Sequence, residues 1–551
     1  MVAPGRPTLV AIALIMIVRC RSALSSSLPA RPNILVLFAD DLGYGDLSSF
    51  GHPTTVTPHL DSLARDGIKF TAWYSAFHVC SPSRGSMMTG RLPIRLGLAG
   101  ASWTGGVFNA DAIGGLPKNE TTIAAALKHA GYASKAVGKW HLGQRPEFLP
   151  TSHGFDEYYG IPYSVDMGTS AWRTGLDHDR PYLPLIRSAA PGHMDVLEQP
   201  VDLNTLSGKY VNESAAFIEA QSEQDTPWFL YVAFNHMHVP DFVSPAYCNT
   251  TRRGVFGDAL RELDDAVGGI LSAVDAAGAA ADTIVFFTSD NGPWLRFREA
   301  GGSAGLLRDG KTTTWEGGIR VPGIARWTGK IPAGRVERSP VATYDIYATA
   351  LALAGVDSHL VNGDRIVDGV DLSPVLFAAE GNDRAGLHTK DLHRCLFHYK
   401  GTPGLGCPLE HPGCPGLWAV RCGHFKMHYV TTDYRNESVQ TFHDPPLMFH
   451  VDHDPGESFP LDPADPVYKA AREEMDGRVA AHKRSLRKVP NQIAMGNDPK
   501  LAVCCDRRRA CNCNPENMRV FVCDGDDQFD DGGVMPTLGP GARAGAAGAE
   551  L

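Results

Sequence analysis

A chain of 551 residues with 61 acidic against 51 basic side chains, a formal charge of −10, lacks the electrostatic footprint of a nucleic-acid binder. A hydrophobic fraction of 43% and a charged fraction of 20% are those of a soluble globular protein, not of a disordered or fibrous one. The length allows a large core and more than one domain.

The chain opens on a targeting pattern. Arg6 precedes the apolar run Leu9 to Val18, which is too short to span a bilayer, and small residues follow at Ser22 to Ser27. A signal peptide over residues 1–24 is expected, and with it a lysosomal or extracellular fate. Of the twelve cysteines, Cys20 leaves with that segment. Setting Cys80 apart leaves an even number, which suits disulfides in an oxidising lumen. Cys395, Cys407, Cys414 and Cys422 form one group, and Cys504, Cys505, Cys511 and Cys513 another. Bridges are favoured over zinc, with connectivity open. Sequons at Asn119, Asn212, Asn249 and Asn436 are candidate glycosylation sites.

After Pro32, the run Asn33 to Ala39 is apolar without alternation, as a strand buried on both faces reads, and it ends in Asp40-Asp41. Thr57-Pro58 opens a helix that Gly67 closes. Lys69 to Tyr74 is a short strand leading to Cys80-Ser81-Pro82-Ser83-Arg84. Pro82 suits the first position of a helix and Ser81 its N-cap, so the sequence predicts a helix from Pro82 through Met88 to Gly90. Cys80 then precedes an anion-binding helix start, with Arg84 one turn in.

Thr122 to His129 reads as a helix stopped by Gly131, and Ala133 to Val137 as a strand running into Gly138-Lys139-Trp140-His141. Residues 146–200, rich in Pro, Gly and aromatics, read as long loops. Asn212 to Gln221 is helical. Trp228 to Phe234 is a strand before Asn235-His236-Met237-His238. Asp258 to Ala277 is a helix with apolar positions at Leu260, Leu263, Val267, Leu271 and Val274. Thr283 to Thr288 is a strand before Ser289-Asp290-Asn291-Gly292, and Val341 to Ala354 a helix closed by Gly355. The alternation predicts an α/β body over residues 31–390, with a largely parallel sheet flanked by helices. Beyond Asp391 the short runs Trp418 to Arg421 and Phe425 to Val430, then a helix over Ala464 to Lys488, predict a smaller, more antiparallel, disulfide-rich unit over residues 391–523. The tail 524–551 is acidic and then Gly/Ala-rich, which reads as disordered.

Four predicted strands end in ionisable residues, and ligands in open α/β sheets bind beyond the carboxyl ends of the strands. Asp40, Asp41, Asp290 and Asn291 are hard oxygen donors, which suit Ca²⁺ or Mg²⁺ better than zinc. Arg84, Lys139 and Lys311 supply charge for an anionic group. His141 and His238 are candidate proton carriers, and His236 a structural histidine.

These motifs resemble those of the type I sulfatases. Cys80 to Arg84 matches their C-x-P-x-R signature, and Asn33 to Gly45, Gly138 to Gly143 and Thr288 to Gly292 match further blocks. The resemblance spans Pro32 to Asn514. Within the family it points to the arylsulfatase A branch, through Gly160 to Ser164, Gly305 to Gly318 and Val503 to Cys513. The resemblance implies an alkaline-phosphatase-like fold and a sulfuric ester hydrolase. It implies that a formylglycine-generating enzyme oxidises Cys80 to formylglycine, whose hydrate attacks sulfur and carries a covalent sulfate. It further implies that Asp40, Asp41, Asp290 and Asn291 bind Ca²⁺ with the residue-80 oxygen, and that Arg84 stabilises the hydrate. Lys139 and Lys311 would hold the sulfate, His141 act as base, His238 with Lys311 assist the leaving group, and Ser164 contact sulfate or nucleophile. Val165 stands where a polar residue is expected, and Asp309 where a cysteine is. A sulfated small molecule, lipid or glycan is the implied substrate, and assembly as a homodimer stays open. The alternatives are a phosphate or phosphonate monoester hydrolase and a non-catalytic, glycan-binding protein of the same fold.

Overall fold

The computed structural model describes residues 31–99, 106–168, 181–378, 395–400 and 416–504. The expected signal segment and the tail 524–551 lie outside them, as do Cys407, Cys414, Cys505, Cys511 and Cys513. The strands of the main body are β1 (Asn33–Ala39), β2 (Ile68–Tyr74), β3 (Ala133–Gly138), β4 (Glu157–Gly160), β5 (Leu185–Ser188) and β6 (Asp195–Glu198). They continue with β7 (Trp228–Ala233), β8 (Thr283–Ser289), β9 (Arg320–Trp327), β10 (Arg335–Glu337) and β11 (Val341–Ala342). They form an 11-stranded sheet in the order β10-β2-β9-β8-β1-β7-β3-β4-β5-β6, with β11 beside β2.

β1 lies in the middle, paired in parallel with β7 on one side and β8 on the other. All of its residues from Ile34 onward are buried, which explains its unbroken apolar run. β3 continues the parallel set beyond β7. β9 is reversed, antiparallel to both β8 and β2. The segment entering β9 therefore reaches the same edge at which β1, β7, β8 and β3 end. Because β2 runs opposite to β9, its exit lies there too. Helices Pro58–Arg65, Leu206–Glu223 and Gly254–Ala276 pack as one group, and Cys80–Thr89, Ile123–Leu127 and Asp345–Ala354 as another. In Gly254–Ala276 the residues Leu260, Leu263, Val267, Ile270 and Val274 are buried at helical spacing.

The second sheet is antiparallel: β12 (Cys395–Tyr399), β13 (Leu417–Cys422), β14 (Phe425–Asp433) and β15 (Asn436–His450). Helix Pro466–Ser485 buries Tyr468, Met475 and Val479 in a cluster with Trp418, Met427 and Tyr429. Phe77 and Val79, just before Cys80, belong to that same cluster. A disulfide joins Cys395 to Cys422 across β12 and β13, and Cys248 is also disulfide-bonded.

Three sequence expectations are corrected. Part of the stretch 146–200 is not loop: β4 to β6 extend the sheet, the last two antiparallel. Their short lengths and mixed burial leave no periodic signal. Val341–Ala342 is a strand on β2, and the helix begins only at Asp345. The Cys80 helix starts earlier than its proline suggests. Cys80 is its first residue and Val79 its N-cap, and the Ser81 hydroxyl accepts from Phe108 N at 3.2 Å instead of capping. Gly90, at φ 69°, ends the helix as expected.

Candidate active site

The strand ends bring the ionisable residues into one buried cluster. Asp40 and Asp41 follow β1, Lys139 and His141 follow β3, His238 follows β7, and Asp290 and Asn291 follow β8. Two neighbouring loops complete it, one with Ser164 beyond β4, the other with Lys311 ahead of β9. The strands must lie close for this to work. A Cβ on Gly138, at φ 100°, would fall 1.9 Å from the carbonyl oxygen of Ala233 on β7. Asp41, His141 and Thr312 all hold left-handed backbone, at φ 58°, 58° and 76°. Such conformations persist where surrounding structure over-determines them, as it does at functional sites.

Three carboxylates, Asp40, Asp41 and Asp290, are interleaved with three cations, all buried. Arg84 donates to Asp290 Oδ2 at 2.7 and 3.0 Å and to Asp40 Oδ1 at 3.1 Å. Its remaining nitrogen reaches Lys139 O at 3.3 Å and the Tyr231 hydroxyl at 3.5 Å. Lys139 Nζ lies 2.5 Å from Asp40 Oδ2 and 3.2 Å from Ser164 Oγ. Lys311 Nζ lies 2.7 and 2.6 Å from the two Asp41 oxygens. Burial alone would push the Asp40 carboxyl up, but Lys139 and Arg84 outweigh it and hold the group ionised. Burial likewise works against the Lys139 and Lys311 ammoniums, and Asp40 and Asp41 respectively more than restore them.

Cys80 Sγ sits inside this ring, 3.7 Å from Asp40 Oδ1 and 3.7 Å from Lys311 Nζ, with 2% of the residue exposed. Burial pushes its thiol well above the usual range, and Lys139 and Lys311 do not reverse that. A thiol in this state is neutral, and it is the thiolate that attacks.

His141 Nε2 faces the Phe108 carbonyl at 2.9 Å, and burial, then Lys139 and Arg84, hold the imidazole well below its ordinary value. The neutral ring donates Nε2–H to that carbonyl, which leaves Nδ1 as the acceptor. Nδ1 is buried with no hydrogen-bond partner among the described residues. His238 is anchored the other way. Its Nδ1 lies 2.5 Å from the Val239 carbonyl, so Nε2 faces Asp41 Oδ2 at 3.6 Å. His236 is turned out of the cluster against Phe242, at 4.2 Å between ring centroids. Its carbonyl accepts from Asp40 N at 2.8 Å, a supporting role in line with the structural reading.

Oxygen ligands of Asp40, Asp41 and Asp290 and the Cys80 sulfur all come within 4.8 Å of one another, the span of a metal site. Asn291 donates Nδ2–H to Asp41 Oδ1 at 2.8 Å, while its Oδ1 is buried with no hydrogen-bond partner among the described residues. A buried amide oxygen with nothing to accept from, beside three carboxylates, fits a hard divalent cation.

Sequence reasoning missed two members of the site. Asp166 lies two residues past Ser164, and its Oδ1 is buried with no hydrogen-bond partner among the described residues. Burial pushes this carboxyl up, but His238 and the Ser164 hydroxyl hold it below the usual carboxylate range. The acid in Ser164-Val165-Asp166 was visible in the chain, though only the turn after β4 aims it inward. Trp294 closes another side, its ring 4.3 Å from Lys311 Nζ and 5.4 Å from the His238 ring.

A mostly parallel sheet flanked by helices, with a buried cluster of carboxylates and cations at its strand ends, defines an alkaline-phosphatase-like hydrolase. The chain belongs to the sulfatase family: the sulfatase family pattern matches residues 32–356, and that of the C-terminal region of aryl-sulfatase matches residues 391–513. It is a sulfatase enzyme. It is 38% identical to arylsulfatase A of Bos taurus over 525 residues, covering 89% of this chain and 97% of the relative. It is 37% identical to N-acetylgalactosamine-6-sulfatase of Canis lupus familiaris, covering 89% and 93% of the two chains. Among solved structures it is similar to the PsFucS1 sulfatase from Pseudoalteromonas sp., at a TM-score of 0.72 and 26% identity, covering 88% and 96% of the two chains.

Proposed function

We propose that the chain hydrolyses sulfate monoesters at residue 80, with the encoded Cys80 as the precursor of the nucleophile. The observation that carries this reading is the place of residue 80 in the cluster: Cys80 Sγ, within the C-x-P-x-R stretch, lies 3.7 Å from both Asp40 Oδ1 and Lys311 Nζ. A bare thiol cannot release a bound sulfate by elimination, as the second hydroxyl of a hydrate can, so a modified side chain is the consistent reading. Formylglycine, made by a formylglycine-generating enzyme, supplies a hydrated aldehyde as nucleophile to sulfur.

The chain's own residues then take distinct tasks. Asp40, Asp41, Asp290 and Asn291 would hold a Ca²⁺, which would supply positive charge to an anionic substrate group. Arg84 fixes Asp40 and Asp290 in place and orients the residue-80 hydroxyls. Lys139 and Lys311 exchange part of their contact with carboxylates for the sulfate oxygens, and Ser164, already bonded to Lys139, contacts the same group. His141, with Nδ1 available, accepts the proton of the residue-80 hydroxyl. His238 Nε2, which like Lys311 faces Asp41, delivers a proton to the leaving alcohol.

A sulfated glycan or lipid is the fitting substrate class, in keeping with relatives named for an aryl sulfate and a sulfated sugar. Asn119, Asn212, Asn249 and Asn436 are all exposed, as glycan acceptors must be, and support passage through the secretory pathway towards a lysosome or the exterior. The deciding experiment is mass spectrometry of the peptide containing residue 80, together with turnover of matched sulfate and phosphate aryl esters. An aldehyde at residue 80, preference for sulfate and loss of turnover in Cys80→Ala are expected. Full activity of Cys80→Ala would overturn the proposal.

A further inference from the structure

Lys311 projects from a loop held on both sides of its backbone. Its own N–H donates to the Pro293 carbonyl at 2.8 Å. The next residue, Thr312, stands in left-handed backbone, a conformation a β-branched residue adopts only under constraint. Two contacts supply the constraint. The Thr312 N–H donates to the His78 carbonyl at 3.0 Å, which ties the Lys311 loop to the turn carrying Cys80. The Thr312 carbonyl accepts from Lys400 Nζ at 2.5 Å.

Lys400 does not belong to the main sheet. It follows β12 at the edge of the C-terminal sheet, is 1% exposed, and is held there from below. Thr432 Oγ1 on β14 lies 3.0 Å from its Nζ, and the Trp418 ring on β13 is 5.0 Å away. Its backbone N–H donates to the Gly416 carbonyl at 2.8 Å. Buried and pointing at a backbone carbonyl, this ammonium cannot meet a substrate. What it can do is fix the Thr312–Thr313 peptide unit, one residue on from Lys311, whose Nζ is 3.7 Å from Cys80 Sγ. The two loops that bring nucleophile and leaving-group cation together are thus locked by a charge from the other sheet.

We propose that Lys400 is a positioning residue for Lys311, setting the reach of its ammonium towards the departing oxygen. The inference rests on the sulfatase reading of residue 80 and on Lys311 acting at the leaving group. It makes a prediction that a merely stabilising contact does not. Misplacing Lys311 hurts most when the leaving alcohol is basic and needs help, and least when it departs as a stable phenolate.

The test compares the parent chain with Lys400→Met, Lys400→Arg and Thr432→Val, each matched for aldehyde content at residue 80 and for thermal midpoint. Turnover is measured on aryl and alkyl sulfates of graded leaving-group basicity. For Lys400→Met we expect kcat on the most basic leaving groups to fall by about 10²-fold, the order of loss from a small misplacement. Loss on 4-nitrophenyl sulfate should be several times smaller, with KM little changed. Lys400→Arg, which can still donate, should recover most of the loss. Thr432→Val, which removes the hydroxyl contact on the ammonium, should steepen the same dependence more weakly. That variant carries the test alone if Lys400→Met does not fold. A loss independent of the leaving group, or no change in Lys400→Met or Thr432→Val, overturns the inference. A parent chain that carries the aldehyde but turns over no sulfate ester overturns the sulfatase reading and the inference with it.

Discussion

The Nε2 of His141 meets the carbonyl oxygen of Phe108 at 2.9 Å, and this single contact decides which face of the ring is basic. With Nε2–H spent on a carbonyl, Nδ1 is the acceptor, buried with no hydrogen-bond partner among the described residues. Burial and the Lys139 and Arg84 charges keep the imidazole neutral far below its ordinary value of 6.5. The sign follows directly. A histidine with a depressed folded value costs stability only as pH falls below the unfolded value, so it stays a competent base in acid. His141→Gln should lower kcat by about 10²- to 10⁴-fold, the usual range for a lost acid–base group. That loss should be flat between pH 5 and 7. An imidazole titration near pH 6.5, assigned to His141 by NMR, would contradict the arrangement.

The unpartnered Asn291 oxygen leads to a second expectation. Chelation with EGTA or EDTA should lower the thermal midpoint and abolish turnover, and Ca²⁺ should restore both. At a free ion concentration one hundred times Kd, the bound form gains about 2.7 kcal/mol. Asn291→Ala should shift the Ca²⁺ titration of the midpoint to higher concentration while leaving the chelated protein's midpoint nearly unchanged. A midpoint insensitive to both chelator and Ca²⁺ would remove the cation from the site.

A third expectation concerns a pair of acids off the catalytic cluster. Asp46 accepts from Gly43 N at 2.8 Å and from Arg253 at 2.8 Å, yet burial still pushes its carboxyl up to about 6. Asp241, three residues past His238, has both oxygens buried with no hydrogen-bond partner among the described residues. Burial, then the neighbouring Asp46, drives it well above the usual range. Raised acids bind protons more tightly folded than unfolded. Their contribution is whole below the unfolded value near 3.8 and is lost as pH rises through about 6. The Asp46 shift alone corresponds to roughly 3 kcal/mol. Buried neutral histidines such as His141 pull the other way over the same range, so the pair is read from a difference. In urea unfolding, Asp241→Asn should gain stability over the parent chain more at pH 7.5 than at pH 5, and an equal effect at the two pH values would exclude the pair as a pH-dependent term.

Much of this architecture was legible because it is written in local runs. β1, β7 and β8 are continuous apolar segments, and each runs into ionisable residues of the buried cluster, so chain order alone placed Asp40, His238 and Asp290 at strand ends. The Cys80 signature was equally plain, although its proline misled about where the helix begins: Val79, not Ser81, is the cap. What escaped was short or distant. β4, β5 and β6 have only four residues each, too few for a period to emerge. Lys400 contacts a carbonyl 88 positions earlier in the chain, and nothing around either residue announces the pairing. Asp166 needed the turn after β4 before it could face His238.

The burial of Cys80 also sets an order of events in the life of the molecule. Cys80 is 2% exposed, and the preceding residues Phe77 and Val79 pack into the core that the C-terminal sheet and its helix build from the far end of the chain. A macromolecule that edits this residue must reach it while the later half is still unmade or unpacked. Once β12 to β15 have closed over that turn, the chemical identity of residue 80 is settled. Two populations with the same sequence and fold, one edited and one not, would then persist side by side without interconverting.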